Sequence, residues 1–192
     1  AGIAHRSGKN SLNELLFFHV NVNGTINLLN SICKSNLPRY FVYISSVSVY
    51  GLNTGNLLDE NSPLLAEDPY GKSKIMAEQI VTKWCKENNI VCTILRLPLI
   101  IGNNPKGNLK SLIQGIKIGY YFNIAGGSSK RSMVLADDVA NILVSASKIG
   151  GIYNLTDGFN PSYFEISTAI ASYFKRSYIP NISIPFATFL AK

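Results

Sequence analysis

Strand-like apolar runs alternate with helical patterns along this chain of 192 residues, and that alternation limits the fold to one class. Strands that alternate with helices pair in parallel, because each helical crossover returns the chain to the same end of the sheet. We therefore expect an α/β fold with a parallel sheet. The periodicity predicts a helix over about 11–35, a strand over 40–45, a helix over 69–88, a strand over 91–97 and a helix over 108–118.

The first predicted strand ends in two serines. Residues Tyr40–Ile44 are apolar without alternation, which is typical of a parallel strand covered on both faces. Ser45 and Ser46 follow at its carboxyl end, where open α/β sheets bind their ligands. The sequence therefore predicts that these serines belong to a ligand site.

A tyrosine and a lysine lie four residues apart at the start of the second predicted helix. Asp68 is the expected N-cap and Pro69 the first helical residue, which places the tyrosine in the first turn. Tyr70 and Lys74 then share one face, and a lysine ammonium there would favour the phenolate of a tyrosine whose ordinary pKa is about 10. We expect Tyr70 to act as a general acid or base, with Ser46 holding the oxygen that gains or loses the proton.

These residues resemble the extended short-chain dehydrogenase/reductase family, the NAD-dependent nucleotide-sugar epimerases and dehydratases. The resemblance begins at Ser46–Gly51 and continues at Tyr70-x-x-x-Lys74. A YxxxK spacing alone is a weak signal, but further segments match in the same order. They are the NVxGT segment at Asn21–Thr25, the arginine and DDVA segment at Arg131–Ala140, and a later strand at Gly151–Leu155.

The resemblance implies a Rossmann-like doubly wound parallel sheet, here partial, with a small C-terminal substrate-binding region. One domain is expected over residues 1–192. Residues 1–105 would form the C-terminal part of the dinucleotide-binding core, and residues 106–192 mostly substrate-binding elements interleaved with core strands and helices. No glycine cluster follows a strand and opens a helix in the dinucleotide pattern. The chain thus resembles a family member that lacks the N-terminal glycine-loop unit.

The implied chemistry is hydride and proton transfer at C4 of a UDP-sugar, with NAD or NADP as cofactor. By resemblance, Tyr70 takes a proton from the sugar hydroxyl, Lys74 binds the cofactor ribose, and Ser46 hydrogen-bonds the reacting oxygen. The expected cofactor-binding residues are Ser45, Tyr70, Lys74 and Asn21. Asn21 would act by positioning the elements around the site, and an ordinary satisfied helix asparagine is the equal alternative.

Two residues further along are expected to bind the substrate. Asn108 resembles the family's asparagine at a helix start near the substrate phosphates, and Arg131 resembles its diphosphate-binding arginine. Helix N-termini and arginine forks both suit a diphosphate. The structural alternatives are an N-cap for Asn108 and a surface ion pair for Arg131.

The reaction itself is left open by the sequence. A 4-epimerase and a 4-ketoreductase use the same three residues, and the segment Leu97–Gly102 resembles a branch that includes reductases of 4-keto-N-acetyl sugars in polysaccharide pathways. Dehydration is disfavoured, because Val47 and Ser48 stand where the 4,6-dehydratases carry an acidic pair. A non-catalytic remnant that serves as a scaffold is the alternative from another class.

Composition limits the remaining classes. The net charge is +7, but the lysines and arginines are spread singly, which argues against nucleic acid and suits anionic ligands. No apolar stretch is long enough for a membrane span and no metal-ligand spacing occurs, so we expect a cytoplasmic protein without metal. The family often dimerises, and the helices near 11–35 and 69–88 would supply a homodimer interface.

Overall fold

The computed structural model describes residues 2–4, 11–52, 55, 57–105 and 107–190. A π-helical segment, Phe18–Asn23, joins the first two helices, and short 3-10 helices span Val47–Tyr50 and Ala125–Gly127. The helices are α1 (Ser11–Phe17), α2 (Gly24–Ile32), α3 (Pro69–Glu87), α4 (Gly107–Ile118), α5 (Ala136–Ser147), α6 (Tyr163–Tyr173) and α7 (Ile184–Leu190). The strands are β1 (Tyr40–Ser46), β2 (Val91–Leu97), β3 (Leu99–Ile101), β4 (Asn123–Ile124), β5 (Met133–Leu135), β6 (Gly151–Asn154) and β7 (Asn181–Ile182).

The chain divides into two compact units. The first comprises the residues up to Pro98 together with Ala136–Leu155, and the second comprises Leu99–Leu135 and the residues from Thr156 onward. The first unit contains β1, β2 and β6. Strand β6 belongs to Ala136–Leu155, so the chain leaves the first unit after Pro98 and returns to it at Ala136 to complete the sheet.

The sheet of the first unit is parallel, with the strand order β1-β2-β6. Tyr40 is paired with Val91 and Ser46 with Leu97, while Thr93 is paired with Gly151 on the other side of β2. Helix α3 connects β1 to β2, as a parallel crossover requires. The predicted α/β class with a partial parallel sheet is confirmed.

Two helices cover opposite faces of this sheet. Phe41 and Tyr43 pack with the cluster that contains Val81 and Trp84 of α3, and the Phe41 and Trp84 rings lie 5.5 Å apart at 65°. Val42 packs with the cluster of Leu95, Leu97 and Ala146, the last of which lies on α5. Since successive strand residues point to opposite faces, α3 and α5 lie on opposite sides.

Strand β1 is less buried than its unbroken apolar run predicted. Tyr40–Tyr43 are half-buried and Ile44 is 37% exposed, whereas the last five residues of β2 are all buried. The physical reason is the position of each strand: β2 has a neighbour on both sides, and β1 is paired on one side only within the described residues.

The cap signals of α3 are confirmed. The Asp68 carboxylate accepts a hydrogen bond from the Gly71 amide at 2.9 Å, and Pro69 is the first helical residue. Helix α5 likewise begins with Asp137 and Asp138 in its first turn, where two negative charges favour the helix dipole.

The second unit holds two short parallel strand pairs, β3 with β5 and β4 with β7. Helix α6 begins with the predicted capping box, in which the Ser162 hydroxyl accepts from the Glu165 amide and the Glu165 carboxylate accepts from the Ser162 amide. Among the described residues, no helix combines the length and the apolar character that a membrane span requires.

Candidate active site

The two serines lie at the carboxyl end of β1, as predicted. The Ser46 Oγ accepts a hydrogen bond from the Ser48 amide at 3.2 Å and lies 3.0 Å from the Ser48 Oγ, so Ser46 caps the 3-10 helix that follows the strand. Ser45 is 4% exposed, and its hydroxyl has no hydrogen-bond partner within the described residues. A buried hydroxyl without a partner is costly, which makes Ser45 a candidate for a ligand contact.

Tyr70 lies in the first turn of α3 and is brought to Ser46. Burial raises the pKa of Tyr70, the hydrogen bond from the Ser46 hydroxyl lowers it, and the Asp68 carboxylate raises it further. The phenol ring also packs against Phe17, with the ring centroids 5.8 Å apart. Because the Ser46 hydrogen bond lowers the pKa, it favours the phenolate, which is the form that accepts a proton.

Lys74 lies one helical turn after Tyr70 and is buried. Its ammonium donates to the Tyr43 hydroxyl at 3.0 Å and to the Ile44 carbonyl at 2.7 Å. Burial lowers the pKa of Lys74 to about 8, and the Glu78 carboxylate offsets part of that fall. A lysine with such a pKa is partly neutral at mildly alkaline pH.

One electrostatic expectation at this site was wrong. The pKa of Tyr70 is raised, not lowered, and burial is the largest cause. The Lys74 ammonium is directed to Tyr43 and Ile44, and the loss of solvent around the Tyr70 ring outweighs the lowering effect of the Ser46 hydrogen bond.

Tyr43 was missed by the sequence reasoning. Burial, then the negative charges of Glu78 and of ionised Tyr70, raise its pKa, and a hydrogen bond from Thr25 lowers it. Its hydroxyl therefore stays protonated and available to Lys74. The signal was its spacing, since Tyr43 lies two residues before Ser45 and so on the same face of β1.

Asn21 links three parts of the first unit. Its side-chain oxygen accepts from the Ile3 amide at 2.9 Å, and its amide nitrogen donates to the Ile3 carbonyl at 3.1 Å and to the Ser73 hydroxyl at 3.0 Å. Ser73 in turn donates to the Tyr70 carbonyl at 2.7 Å. Both amide hydrogens are used within the protein, so Asn21 ties the first turns of α3, which carry Tyr70 and Ser73, to the segment at Ile3.

A buried ionic network lies one turn beyond Lys74. Arg96 of β2 binds both carboxylate oxygens of Glu78, at 2.8 and 3.2 Å, and also donates to the Tyr50 hydroxyl at 3.0 Å. The Tyr50 hydroxyl donates to Asn154 of β6 at 2.7 Å. The sequence reasoning missed this network, although a charged residue inside an apolar strand signals that a partner is needed.

The two predicted substrate residues belong to the second unit. Asn108 is exposed in the first turn of α4. Arg131 is exposed as well; its Nε donates to the Tyr163 hydroxyl at 3.1 Å, and its guanidinium carbon lies 5.8 Å from the centroid of that ring. In the described residues its two terminal nitrogens have no hydrogen-bond partner, so the surface ion pair considered above is not formed.

No metal site is evident in the part of the chain that the structure describes, because no three histidine, cysteine, aspartate or glutamate side chains come together there.

Sequence comparison identifies the class of protein to which this α/β fold belongs. The model of the NAD dependent epimerase/dehydratase family matches residues 1–155, so the chain belongs to that family. The family resemblance expected from the motifs is confirmed.

Named relatives and solved structures agree with this assignment. N-acetyl-alpha-D-glucosaminyl-diphospho-ditrans,octacis-undecaprenol 4-epimerase from Escherichia coli O157:H7 is 33% identical over 130 residues, which cover 67% of this chain and 39% of that protein. UDP-glucose 4-epimerase from Lactobacillus helveticus is 28% identical over 165 residues, 76% of this chain and 50% of that protein. The chain therefore spans half or less of these relatives. RMD from Pseudomonas aeruginosa complexed with NADPH shares the fold, with a TM-score of 0.80 and 21% identity over 95% of this chain and 67% of that one.

Proposed function

We propose that this chain carries the proton-transfer site of a nicotinamide-dependent enzyme that acts at C4 of a diphosphate-linked sugar. The observation that carries the proposal is the hydrogen bond between Ser46, at the carboxyl end of β1, and Tyr70, with Lys74 buried one turn further along α3. Family membership supports the reaction class, because the match includes all three residues.

Each of the three side chains has a distinct role in this proposal. Tyr70 takes the proton from the C4 hydroxyl and returns it to the ketone oxygen. Ser46 donates to the oxygen that becomes charged, first to the phenolate and then to the sugar oxygen. Lys74 supplies the positive charge that the buried site needs when Tyr70 ionises, since burial alone opposes the phenolate. When bound, the nicotinamide accepts or supplies the hydride at C4.

The residues present fit a dinucleotide whose ribose carries hydroxyl groups. Lys74 has three ammonium hydrogens, of which two are used on Tyr43 and Ile44, so one remains for a ribose oxygen. The unpartnered Ser45 hydroxyl is a second candidate contact within the described residues. NAD and NADP are both consistent with these donors, because neither contact distinguishes the two cofactors.

For the substrate, we propose that Asn108 and Arg131 contact phosphate oxygens. Support comes from Asn108 lying in the first turn of α4 and from Arg131 holding one guanidinium edge on Tyr163 while its terminal nitrogens stay available among the described contacts. An arginine fixed by one nitrogen is pre-oriented for a bidentate contact with phosphate.

The reaction we favour is 4-epimerisation of a UDP-sugar for polysaccharide biosynthesis, with 4-ketoreduction as the second candidate. The names of several relatives support epimerisation, since they are sugar 4-epimerases. One of them is named for a sugar on a polyprenol diphosphate rather than on UDP. The two carriers share a sugar joined to a diphosphate, so both carriers belong in the substrate screen.

We further propose a homodimer through α1, α2 and α3. These helices expose Leu15, Leu28 and Met76, which are 67%, 51% and 43% accessible. Light scattering should give twice the monomer mass, and the charge substitution Leu28→Lys should shift the mass towards the monomer. A monomeric mass for the unsubstituted protein would contradict the dimer.

The function is tested by cofactor titration followed by a substrate screen. NADH and NADPH fluorescence would be titrated with this chain and, in parallel, with the product of the complete reading frame. The protein that binds would then be given UDP-glucose, UDP-N-acetylglucosamine and polyprenyl-diphospho-N-acetylglucosamine, with Tyr70→Phe as the control. Turnover at C4 that depends on Tyr70 supports the proposal. Absence of cofactor binding by both proteins would overturn it and favour the scaffold alternative.

A further inference from the structure

Helix α3 carries three ionisable side chains in a ladder. Tyr70, Lys74 and Glu78 are each four residues apart and so share one helix face. A lysine and a glutamate at this spacing are close enough to form an ion pair. Within the described residues Lys74 forms no ion pair, and its ammonium is bonded to the Tyr43 hydroxyl and the Ile44 carbonyl instead.

The carboxylate of Glu78 is bound by Arg96 of β2 and not by Lys74. Arg96 binds one oxygen through Nη2 at 2.8 Å and the other through Nε at 3.2 Å, and the two side chains are 3% and 5% exposed. This two-bond geometry fixes the orientation of the carboxylate more firmly than a single bond would.

Arg96 is itself held in place. Its Nη1 donates to the Tyr50 hydroxyl at 3.0 Å and to the Glu60 carbonyl at 3.1 Å, and the guanidinium lies 5.1 Å from the Tyr50 ring centroid. The guanidinium therefore cannot follow Glu78 if that carboxylate turns towards Lys74 without giving up several buried hydrogen bonds.

We propose that Arg96 is a positioning residue that acts through Glu78. By occupying both carboxylate oxygens, Arg96 keeps Glu78 from pairing with Lys74 and leaves the Lys74 ammonium on Tyr43 and Ile44. The importance of this for turnover rests on the proposed function, in which Lys74 serves Tyr70 and the cofactor ribose. The arrangement of the three side chains can be tested without turnover.

The charges around Lys74 are consistent with this role. The groups that face it are Tyr43 on β1, and Tyr70 and Glu78 on α3. The Glu78 carboxylate raises the pKa of Lys74 but does not overcome the effect of burial. A carboxylate released from Arg96 would approach the ammonium and raise that pKa further, because opposite charges favour the ionised form of both groups.

The test is a titration of Lys74 by NMR of isotope-labelled lysine side chains, with Lys74→Arg used to assign the signal. We expect Arg96→Met to raise the Lys74 titration midpoint by about one pH unit relative to the unsubstituted chain. Glu78→Gln combined with Arg96→Met should return the midpoint to or below its original value. Removal of both charges also spares the fold, because replacing a buried ion pair as a whole is often near neutral for stability.

A second variant covers the case in which Arg96→Met does not fold. Arg96→Lys keeps the positive charge but offers no two-bond fork, so it should free one Glu78 oxygen and give a smaller upward shift. An unchanged Lys74 midpoint in the folded Arg96 variants would overturn the proposal, as would a shift that persists in the double variant. If the variants show the shift but the unsubstituted product of the complete reading frame has no turnover, the result upholds this inference and counts against the proposed function.

Discussion

Burial shifts the pKa of both Tyr70 and Lys74 in the direction that favours the uncharged side chain, and it is the largest cause for each. The pKa of Tyr70 is raised and that of Lys74 is lowered to about 8, so the neutral form of both side chains is favoured. With a pKa of about 8 Lys74 is still mostly protonated at neutral pH, whereas the ionisation of Tyr70 is opposed by burial and needs a neighbouring group that stabilises the phenolate. Ser46 and Glu78 are the two neighbours that oppose burial, one for each residue.

A stability measurement tests the state of Lys74. Between about pH 7 and about pH 9 the unfolded chain keeps this lysine protonated while the folded chain releases the proton, so the unfolded state binds more protons. The free energy of unfolding should therefore rise by about 1 kcal/mol over this range. Urea unfolding at the two pH values would show the rise, and Lys74→Met should lack it. An equal rise in Lys74→Met would assign the effect to another group.

The candidate site residues could be proposed from the sequence, but their hydrogen-bond and charge partners could not. Local patterns, a strand end and a helical spacing, pointed to Ser46, Tyr70 and Lys74. Tyr43 and Arg96 act through contacts with residues 31 and 18 positions away, respectively, and no local pattern specifies such contacts. The raised pKa of Tyr70 was missed for the same reason, since burial depends on what packs around the ring.

At the scale of elements, the start of α3 approaches the segment after Ser46 so closely that only glycine fits between them. A Cβ on Gly71 would lie 2.5 Å from the Ala66 Cβ and 2.8 Å from the Ser48 carbonyl oxygen. This contact sets how near the first turn of α3, with Tyr70, comes to the serine that caps the 3-10 helix.

Gly71→Ala should therefore separate these elements. The added methyl group forces backbone to move, and we expect a loss of about 1–3 kcal/mol in the free energy of unfolding, together with a loss of turnover. Gly24→Ala is the matched control, because its Cβ has no neighbour nearer than 4.0 Å and its φ is −59°. The control should be neutral or up to about 1 kcal/mol more stable. Equal denaturation midpoints for Gly71→Ala and the unsubstituted chain would contradict this account.

Asn21, in the π-helical segment, also fixes the position of the start of α3, through its hydrogen bond to Ser73. Asn21→Ala removes the hydrogen bonds to the half-buried Ile3 backbone and to the buried Ser73 hydroxyl, so we expect a loss of about 1–3 kcal/mol in the free energy of unfolding. Asn23→Ala is the matched control, because that exposed asparagine belongs to the same segment. Denaturant unfolding of both variants gives the comparison, and equal losses would show that the Asn21 contacts contribute nothing specific.

Helix and strand positions followed closely from the sequence, since caps and apolar periodicity are properties of neighbouring residues. Helix α3 begins at Pro69 and β2 spans Val91–Leu97, as predicted. The predicted helix over 11–35 contains a π-helical segment and ends at Ile32, which periodicity could not foresee. The partial exposure of β1 was also missed, because it depends on which strand lies beside it.

At the scale of the whole molecule, the family assignment and the parallel sheet agree with the motif order along the chain. The family match reaches residue 155 and so includes Tyr70, Lys74 and the strand β6 that completes the sheet of the first unit. The division into units could not be drawn from the sequence in detail, because Ala136–Leu155 rejoins the first unit through strand pairing that composition does not reveal.

The most direct test of the account is the rate at which reduced nicotinamide appears when NAD-loaded protein is mixed with UDP-N-acetylglucosamine. We predict that the absorbance of the reduced cofactor increases in the unsubstituted protein. The increase should be transient if the protein is an epimerase and should persist if it is an oxidoreductase. In Tyr70→Phe its formation should slow by about a hundredfold to ten-thousandfold, the range that a positioned proton acceptor contributes. Formation at the same rate in both proteins would contradict the assignment of Tyr70 as the proton-transfer residue.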